Sequence, residues 1–139
     1  MHSREQLDFC SYRLEKARVF LSDAKKTLEL GMFETAANRS YYSIFHAVRA
    51  LLALESVDFK KHSGVISYFQ MTYIKTKLLP VEMSNILKSA FSLRSESDYK
   101  DFYIIAHDDV VQQVEDAEYF LKKIEEYISN EIAEDGGSN

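Results

Sequence analysis

The segment RSYYSIFHAVRALL, Arg39 to Leu52, presents two different faces at helical spacing. At about 100° per residue, one side of this helix is broad and apolar, and it consists of Tyr41, Ile44, Phe45, Val48, Leu51 and Leu52. The other side is polar, cationic and aromatic, and it consists of Arg39, Tyr42, Ser43, His46, Arg49 and Ala50. The chain around this helix is too apolar to leave the second side freely solvated, so we expect another surface to cover it.

Two interpretations of the polar side follow from its chemistry. In the first, Arg39, Tyr42 and His46 lie at the edge of the core and are satisfied by carboxylates of another helix, because buried charges need partners. In the second, they line a groove or a subunit interface, where arginine holds a phosphate and histidine exchanges a proton near neutral pH. Both arrangements are compatible at a dimer interface.

The composition favours helices over a sheet fold. Among 139 residues there are four glycines and one proline, whereas a sandwich or barrel needs far more turn residues. The single cysteine, Cys10, permits no intramolecular disulfide, which favours a reducing cytoplasm. No run of about 18 apolar residues is present to span a membrane. We expect no metal or cofactor, because the histidines have no ligand spacing and no glycine-rich phosphate loop occurs.

The net charge of −5 is unevenly distributed. Residues 1–107 hold 15 basic and 12 acidic side chains, a balance of +3, whereas residues 108–139 hold 2 and 10, a balance of −8. The chain therefore lacks the broad basic surface that drives sequence-independent binding of nucleic acids, but a small basic groove remains compatible with it.

Apolar spacing predicts a long first helix that ends at Gly31 and a second helix over residues 33–54. Ser63 is a candidate N-cap for a third helix, with His62 beside it as part of the cap. Pro80 suits the first turn of a fourth helix that reaches Arg94, and the following SESDYKDFYI is predicted to be irregular. A last, acidic helix follows Asp109. We predict an all-α, antiparallel up-and-down bundle of about five helices over residues 1–134, with a disordered tail at 135–139.

Four segments, in order along the chain, resemble the HEPN family in its small stand-alone bacterial and archaeal branch. They are LELGMFETAANRSYYSIFHAVRALL, KKHSGVISYF, KTKLLPVE and LRSESDYKDF. The resemblance covers nearly the whole chain. It implies an antiparallel helical bundle that forms a homodimer. It also implies a partner, a minimal nucleotidyltransferase encoded nearby, with which such proteins form toxin-antitoxin-like pairs.

Many HEPN proteins are metal-independent ribonucleases whose active site is an arginine followed, after four to six residues, by a histidine. Here no histidine follows Arg94 within six residues, and Asp98, Tyr99 or Lys100 stands in the place of the base. Arg39 and His46 have the required spacing, but they lie on the second helix. The resemblance therefore predicts a degenerate Arg-His motif.

The sequence thus predicts a partner-binding or RNA-associated module in which the Arg39-Tyr42-His46-Arg49 face meets the Arg94-Asp98-Tyr99 segment in one polar cluster. The alternative is an endoribonuclease toxin, with His46 as general base and Arg39 or Arg94 on the phosphate. In paired HEPN toxins, a tyrosine after the catalytic histidine can be nucleotidylated by the partner. Tyr99 and Tyr103 are the candidates for this modification, unless Tyr99 packs onto the bundle instead.

Overall fold

The computed structural model describes residues 1–99 and 105–137, apart from the side chains at 97–99 and 136–137. The five α-helices are α1 (Arg4–Glu29), α2 (Phe33–Ala53), α3 (His62–Phe69), α4 (Val81–Tyr99) and α5 (His107–Gly137). One turn of π-helix, Gln70–Ile74, continues from α3. All regular structure in the described residues is helical, which confirms the predicted all-α bundle.

Helices α1 and α2 form an antiparallel hairpin, as expected for consecutive helices of an up-and-down bundle. A capping box starts α1: the Ser3 hydroxyl accepts from the Gln6 backbone N–H, and the Gln6 side chain accepts from the Ser3 N–H. Gly31 ends the hairpin turn with a φ of 74°, in the left-handed region that glycine adopts without steric cost. The chain then reverses directly into α2, so α1 packs along the whole of it.

Helix α2 is the centre of the bundle and packs against α1, α4 and α5. Its predicted apolar side is fully buried. Two small residues that the sequence assigns to the polar side, Ser43 and Ala50, are also buried, and the Ser43 hydroxyl donates to the Ala17 carbonyl of α1 at 2.8 Å. The small side chains let the two helices approach closely. The polar side therefore narrows to four half-buried residues, which we call the polar stripe: Arg39, Tyr42, His46 and Arg49.

The ends of three helices differ from the prediction. Helix α5 begins at His107, so Asp108 and Asp109 lie in its first turn rather than before it. Helix α3 starts at His62, with Lys61 in the N-cap position and no side-chain cap, so Ser63 is not the cap. Helix α4 continues past Arg94 to Tyr99, so the start of SESDYKDFYI is helical rather than irregular. The serines and acidic residues of this segment include no helix breaker. Leu93 packs this end of α4 against a small apolar cluster formed by residues of α1, α2 and α5. Residues 100–104 lie outside the described part of the chain.

Cys10 lies on the core side of α1, where only 2% of its surface is exposed. Burial raises the pKa of its thiol to about 11. A thiol in this environment is an unreactive core residue at neutral pH. Within the described residues, no helix combines the length and the apolar character that crossing a bilayer requires.

Candidate functional site

The polar stripe of α2 is bordered by aromatic and cationic side chains from α1 and α4. The His46 ring stacks on Phe20 of α1 with 5.3 Å between the ring centroids and 8° between the planes. The Arg39 guanidinium lies 5.6 Å from the centroid of the same Phe20 ring. On the other side, Arg94 of α4 donates from Nη2 to the Tyr42 hydroxyl at 3.3 Å. The stripe is thus held between helices by ring stacking and cation–π contacts.

His46 is a neutral imidazole surrounded by cations. Its Nδ1 lies 3.2 Å from Nη1 of Arg13 on α1. Because a guanidinium can only donate, Nδ1 must accept, which assigns the ring proton to Nε2. Burial, with the positive charges of Arg13, Arg49 and Lys16, lowers the pKa of His46 to about 4. His46 is therefore uncharged at neutral pH.

Arg49, the last residue of the stripe, is paired with a carboxylate. Its Nε and Nη2 donate to the two Asp58 oxygens at 3.2 and 2.5 Å, a bidentate arrangement. Partial burial would raise the pKa of Asp58, but the hydrogen bonds from Arg49 and from the Phe59 backbone N–H outweigh it and lower that pKa. Arg49 is thus fixed in orientation, and it ties the end of α2 to the loop before α3.

A second histidine, His62, packs against the buried side of α2, next to the polar stripe. Nδ1 of His62 lies 2.7 Å from the hydroxyl of the buried Tyr41, and its ring packs 4.1 Å from the Phe45 ring. Burial and the charges of Arg94 and Arg49 lower the pKa of His62. The Arg94 guanidinium lies over both the Tyr41 and Tyr42 rings, at 5.5 and 5.6 Å. His62 is therefore a packing residue between α2 and α3 rather than part of a helix cap.

The structure brings five of the predicted site residues onto one surface. Arg39, Tyr42, His46 and Arg49 follow one line along α2, and Arg94 reaches that line from α4 through Tyr42. Asp98 and Tyr99 occupy the last turn of α4, but their side chains lie outside the described residues, as does all of Tyr103.

Three contributors were not predicted as site residues: Arg13, Phe20 and His62. Arg13 and Phe20 are the chain neighbours of Leu14 and Leu21, two of the regularly spaced apolar residues that predict α1. Residues beside an apolar stripe border whatever covers it, and this is the signal that could have found them. We call the polar stripe together with Arg13, Phe20, His62 and Arg94 the basic seam.

Of Arg13, Arg39 and Arg49, the last is paired with a carboxylate within the described residues. Arg13 contacts the His46 ring, and Arg39 donates to the Asn38 side-chain carbonyl at 3.4 Å. The interpretation that carboxylates of another helix satisfy Arg39, Tyr42 and His46 is therefore not what this part of the chain presents. The seam is locally positive in a chain of net charge −5.

Comparison with known proteins agrees with the resemblance in the sequence. Residues 10–128 match the HEPN domain family. The chain belongs to the HEPN family. Over 94% of its length it is 32% identical to a UPF0332 protein of Thermotoga maritima, of which 97% is covered. Over 84% of its length it is 34% identical to a UPF0332 protein of Archaeoglobus fulgidus, of which 93% is covered.

Two similar proteins of Methanocaldococcus jannaschii carry a functional name, and one of them covers most of the chain. The HEPN chain is 32% identical, over 83% of its length, to the "Putative toxin MJ0142" of Methanocaldococcus jannaschii, of which 78% is covered. That name describes the Methanocaldococcus protein. Together with the family match, it indicates a toxin-like or RNA-associated role for proteins of this kind.

Proposed function

We propose that this HEPN protein is a toxin-like module that binds RNA along the basic seam without cutting it. The observation that carries the proposal is the environment of Arg13 and Arg39, whose partners are a neutral imidazole and an amide rather than carboxylates. Arginines held beside aromatic rings can bind phosphates through several N–H donors while the rings stack on bases. The seam therefore suits a single-stranded RNA better than it suits a neutral ligand.

The state of His46 argues for binding over cleavage. A general base works best when its pKa lies near the operating pH, and the pKa of His46 is about 4. Its Nδ1 is also engaged by Arg13, so that nitrogen is not available to take a proton from a ribose hydroxyl. In addition, residues 95–100 after Arg94 contain no histidine to replace it.

The second candidate is a metal-independent endoribonuclease. It is favoured by the placement of Arg94 on Tyr42, one helical turn from His46, which puts a phosphate ligand and an imidazole on one surface. In this mechanism His46 would deprotonate the ribose 2′-OH, and Arg39 or Arg94 would stabilise charge on the phosphorane. Tyr42 would orient the phosphate or stack on a base.

We also propose that the protein forms a homodimer and works with a minimal nucleotidyltransferase, as the family resemblance implies. Tyr99 and Tyr103 would be the acceptors if that partner transfers a nucleotide. Size-exclusion chromatography with light scattering tests the dimer. Incubation with the purified nucleotidyltransferase and ATP, followed by intact-mass spectrometry, tests the modification in wild type, Tyr99→Phe and Tyr103→Phe. An unchanged mass in wild type would contradict this part of the proposal.

RNA binding and RNA cleavage are separated by one experiment. A mixed RNA pool is incubated in EDTA with wild type, His46→Ala, Arg94→Ala and the control Arg18→Ala, and each sample is analysed on native and denaturing gels. The proposal predicts shifted but intact RNA for wild type and Arg18→Ala, with a weaker shift for Arg94→Ala. Cleavage that disappears in both His46→Ala and Arg94→Ala would favour the endoribonuclease. RNA that neither shifts nor breaks would contradict both candidates.

A further inference from the structure

A cavity of about 350 Å³ opens at the end of the basic seam, where the start of α1 meets the end of α2 and the loop before α3. Its walls include Phe9 and Arg13 of α1, Arg49 of α2 and Asp58 of the loop, with Glu5 among them. This volume falls in the range of pockets that hold small organic ligands, roughly 300–1,000 Å³. We call it the Arg13 pocket.

Two guanidinium groups converge on the Arg13 pocket. Arg49 is fixed by its bidentate contact with Asp58, so it forms a rigid wall. Arg13 is half-buried, and its Nη1 contacts the His46 ring. Burial and the charge of Arg49 lower the pKa of Arg13, and together they outweigh the opposite effect of the Asp58 carboxylate and of Tyr12. An anion in the pocket would relieve this repulsion, and a guanidinium has five N–H donors to offer it.

The same pocket exposes an aromatic ring. Phe9 is 56% exposed, and it lies one turn before Arg13 on α1. Tyr12 beside it is 53% exposed, with Arg13 and Lys16 each 5.6 Å from its ring centroid. Exposed rings next to cations are the arrangement with which proteins hold the bases of single-stranded nucleic acids.

A carboxylate completes the set of groups. Glu5 lines the Arg13 pocket and also the shallow depression formed with Asp8, Phe9 and Tyr12, so it stands on the rim between them. A carboxylate accepts hydrogen bonds from the exocyclic amino groups of bases such as cytosine, but it repels phosphate. Glu5 lies one turn before Phe9 on α1, so it is close to a base stacked on that ring, and the second carboxylate of the wall, Asp58, is already engaged by Arg49.

We propose that the Arg13 pocket binds one nucleotide of a single-stranded RNA, with its phosphate on Arg13 and its base stacked on Phe9. This inference rests on the proposed function, because it extends the RNA path beyond the polar stripe. A paired base cannot enter such a pocket unless it leaves its duplex. The pocket therefore makes the protein selective for single strands.

The test measures fluorescence anisotropy of a labelled single-stranded oligoadenylate of about ten nucleotides and of its duplex. The variants are Phe9→Ala and Arg13→Gln, with two matched controls elsewhere on the bundle. Tyr119→Ala removes an exposed tyrosine of α5 that also lies near a lysine, Lys123, at 5.7 Å. Arg18→Gln removes an arginine of α1 that is paired with a glutamate of α5.

We expect Phe9→Ala and Arg13→Gln each to weaken single-strand binding by roughly tenfold, while both controls stay within about twofold of wild type. Wild type should also prefer the single strand to the duplex by a similar factor. Phe9 is exposed, so Phe9→Ala should fold, and it decides the test if Arg13→Gln does not. Phe9→Trp should bind at least as well as wild type, since a larger ring stacks better.

The failures of the two proposals are distinguishable. If Phe9→Ala binds like wild type while Arg39→Ala or Arg94→Ala binds more weakly, the pocket proposal is wrong and RNA binding at the seam stands. Equal affinity of wild type for the single strand and the duplex also overturns the pocket proposal. If wild type does not bind the oligonucleotide at all, both proposals are wrong.

Discussion

Helix α1 carries basic side chains toward two neighbours, and the two sets have different partners. Toward α5, Arg18 lies 3.3 Å from Glu125 and Lys25 lies 2.9 Å from Glu118. Toward α2, Arg13 lies against the neutral His46. We call the first set, Arg18 and Lys25 with their two glutamates, the paired face. Arginine occurs in both sets, so composition does not distinguish them. They differ in the residues that their side chains contact.

This difference in partners predicts different roles for the paired face and the basic seam. On the paired face each positive charge is matched by a carboxylate across a solvent-exposed groove. Such a pair contributes little to stability and leaves little positive charge for a polyanion. On the basic seam, the charges of Arg13 and Arg39 are held beside rings and neutral groups, where solvent screens them less. A polyanion should therefore bind at the seam and not at the paired face.

Removing two cations from each region tests this contrast most strongly. Arg39→Ala/Arg94→Ala should weaken RNA binding by about 100-fold, because two charge-assisted contacts to phosphate are lost. It should also reduce the slope of log affinity against log salt by about 2. Arg18→Ala/Lys25→Ala removes the same charge and should leave both quantities nearly unchanged. Equal losses in the two double variants, measured by anisotropy titration at several salt concentrations, would mean that total charge governs binding.

The stability of the seam should depend on pH through His46. Its folded-state pKa of about 4 lies below the ordinary 6.5, so protonation favours the unfolded chain. The stabilisation from the neutral ring is complete above that ordinary value and is lost as the pH falls toward the folded-state value. Between pH 7 and pH 5 we expect wild type to lose about 2 kcal/mol more than His46→Gln, measured by urea unfolding. Parallel losses in the two proteins would contradict the placement of His46 among cations.

The contact between Tyr41 and His62, beneath the seam, should make a smaller contribution to the free energy of unfolding. Tyr41→Phe removes the hydroxyl that lies 2.7 Å from His62 Nδ1 inside the bundle, and we expect a loss of about 1 kcal/mol in the free energy of unfolding. The matched control is Tyr68→Phe, which removes an exposed hydrogen bond to Glu55 and should cost less. Chemical denaturation of both variants checks this order, and a larger loss in Tyr68→Phe would reverse it.

The paired face should give the smallest effect. Glu125→Gln breaks the ion pair with Arg18, whose side chain is 49% exposed, and we expect a change of roughly 0.5 kcal/mol or less. RNA affinity should stay within about twofold of wild type or rise slightly, because a negative charge is removed far from the seam. A large loss of affinity in Glu125→Gln would show that the paired face takes part in binding.

Much of the fold could be predicted from spacing alone. The apolar side of α2 follows directly from residues Tyr41 to Leu52, and Gly31 marks the hairpin turn because few other residues adopt a positive φ. The extent of α4 could not be predicted in this way. Ser95, Ser97 and Asp98 have weaker helix propensity, and tertiary contacts of the preceding turns decide whether the helix continues.

The parts of the site on α2 and at Arg94 could be predicted from the sequence, but the part on α1 could not. The polar stripe is a property of the α2 sequence, but the register of α1 against α2 determines which side chains meet it. That register brings Arg13 and Phe20 to His46, and no local pattern in α1 specifies it. The partners of Arg39, Tyr42 and His46 could not be predicted for a related reason: composition states how many acids the chain has, not which helix they face.

We propose that Arg13 and Arg39, whose partners are a neutral imidazole and an amide, leave positive charge on the seam for a polyanion to neutralise. The most direct test is an NMR titration of the His46 imidazole, with and without single-stranded RNA. We expect a pKa of about 4 in the free protein and a rise of about one unit or more when phosphates approach the ring. A pKa near 6.5 in the free protein, or a value that saturating RNA does not change, would contradict it.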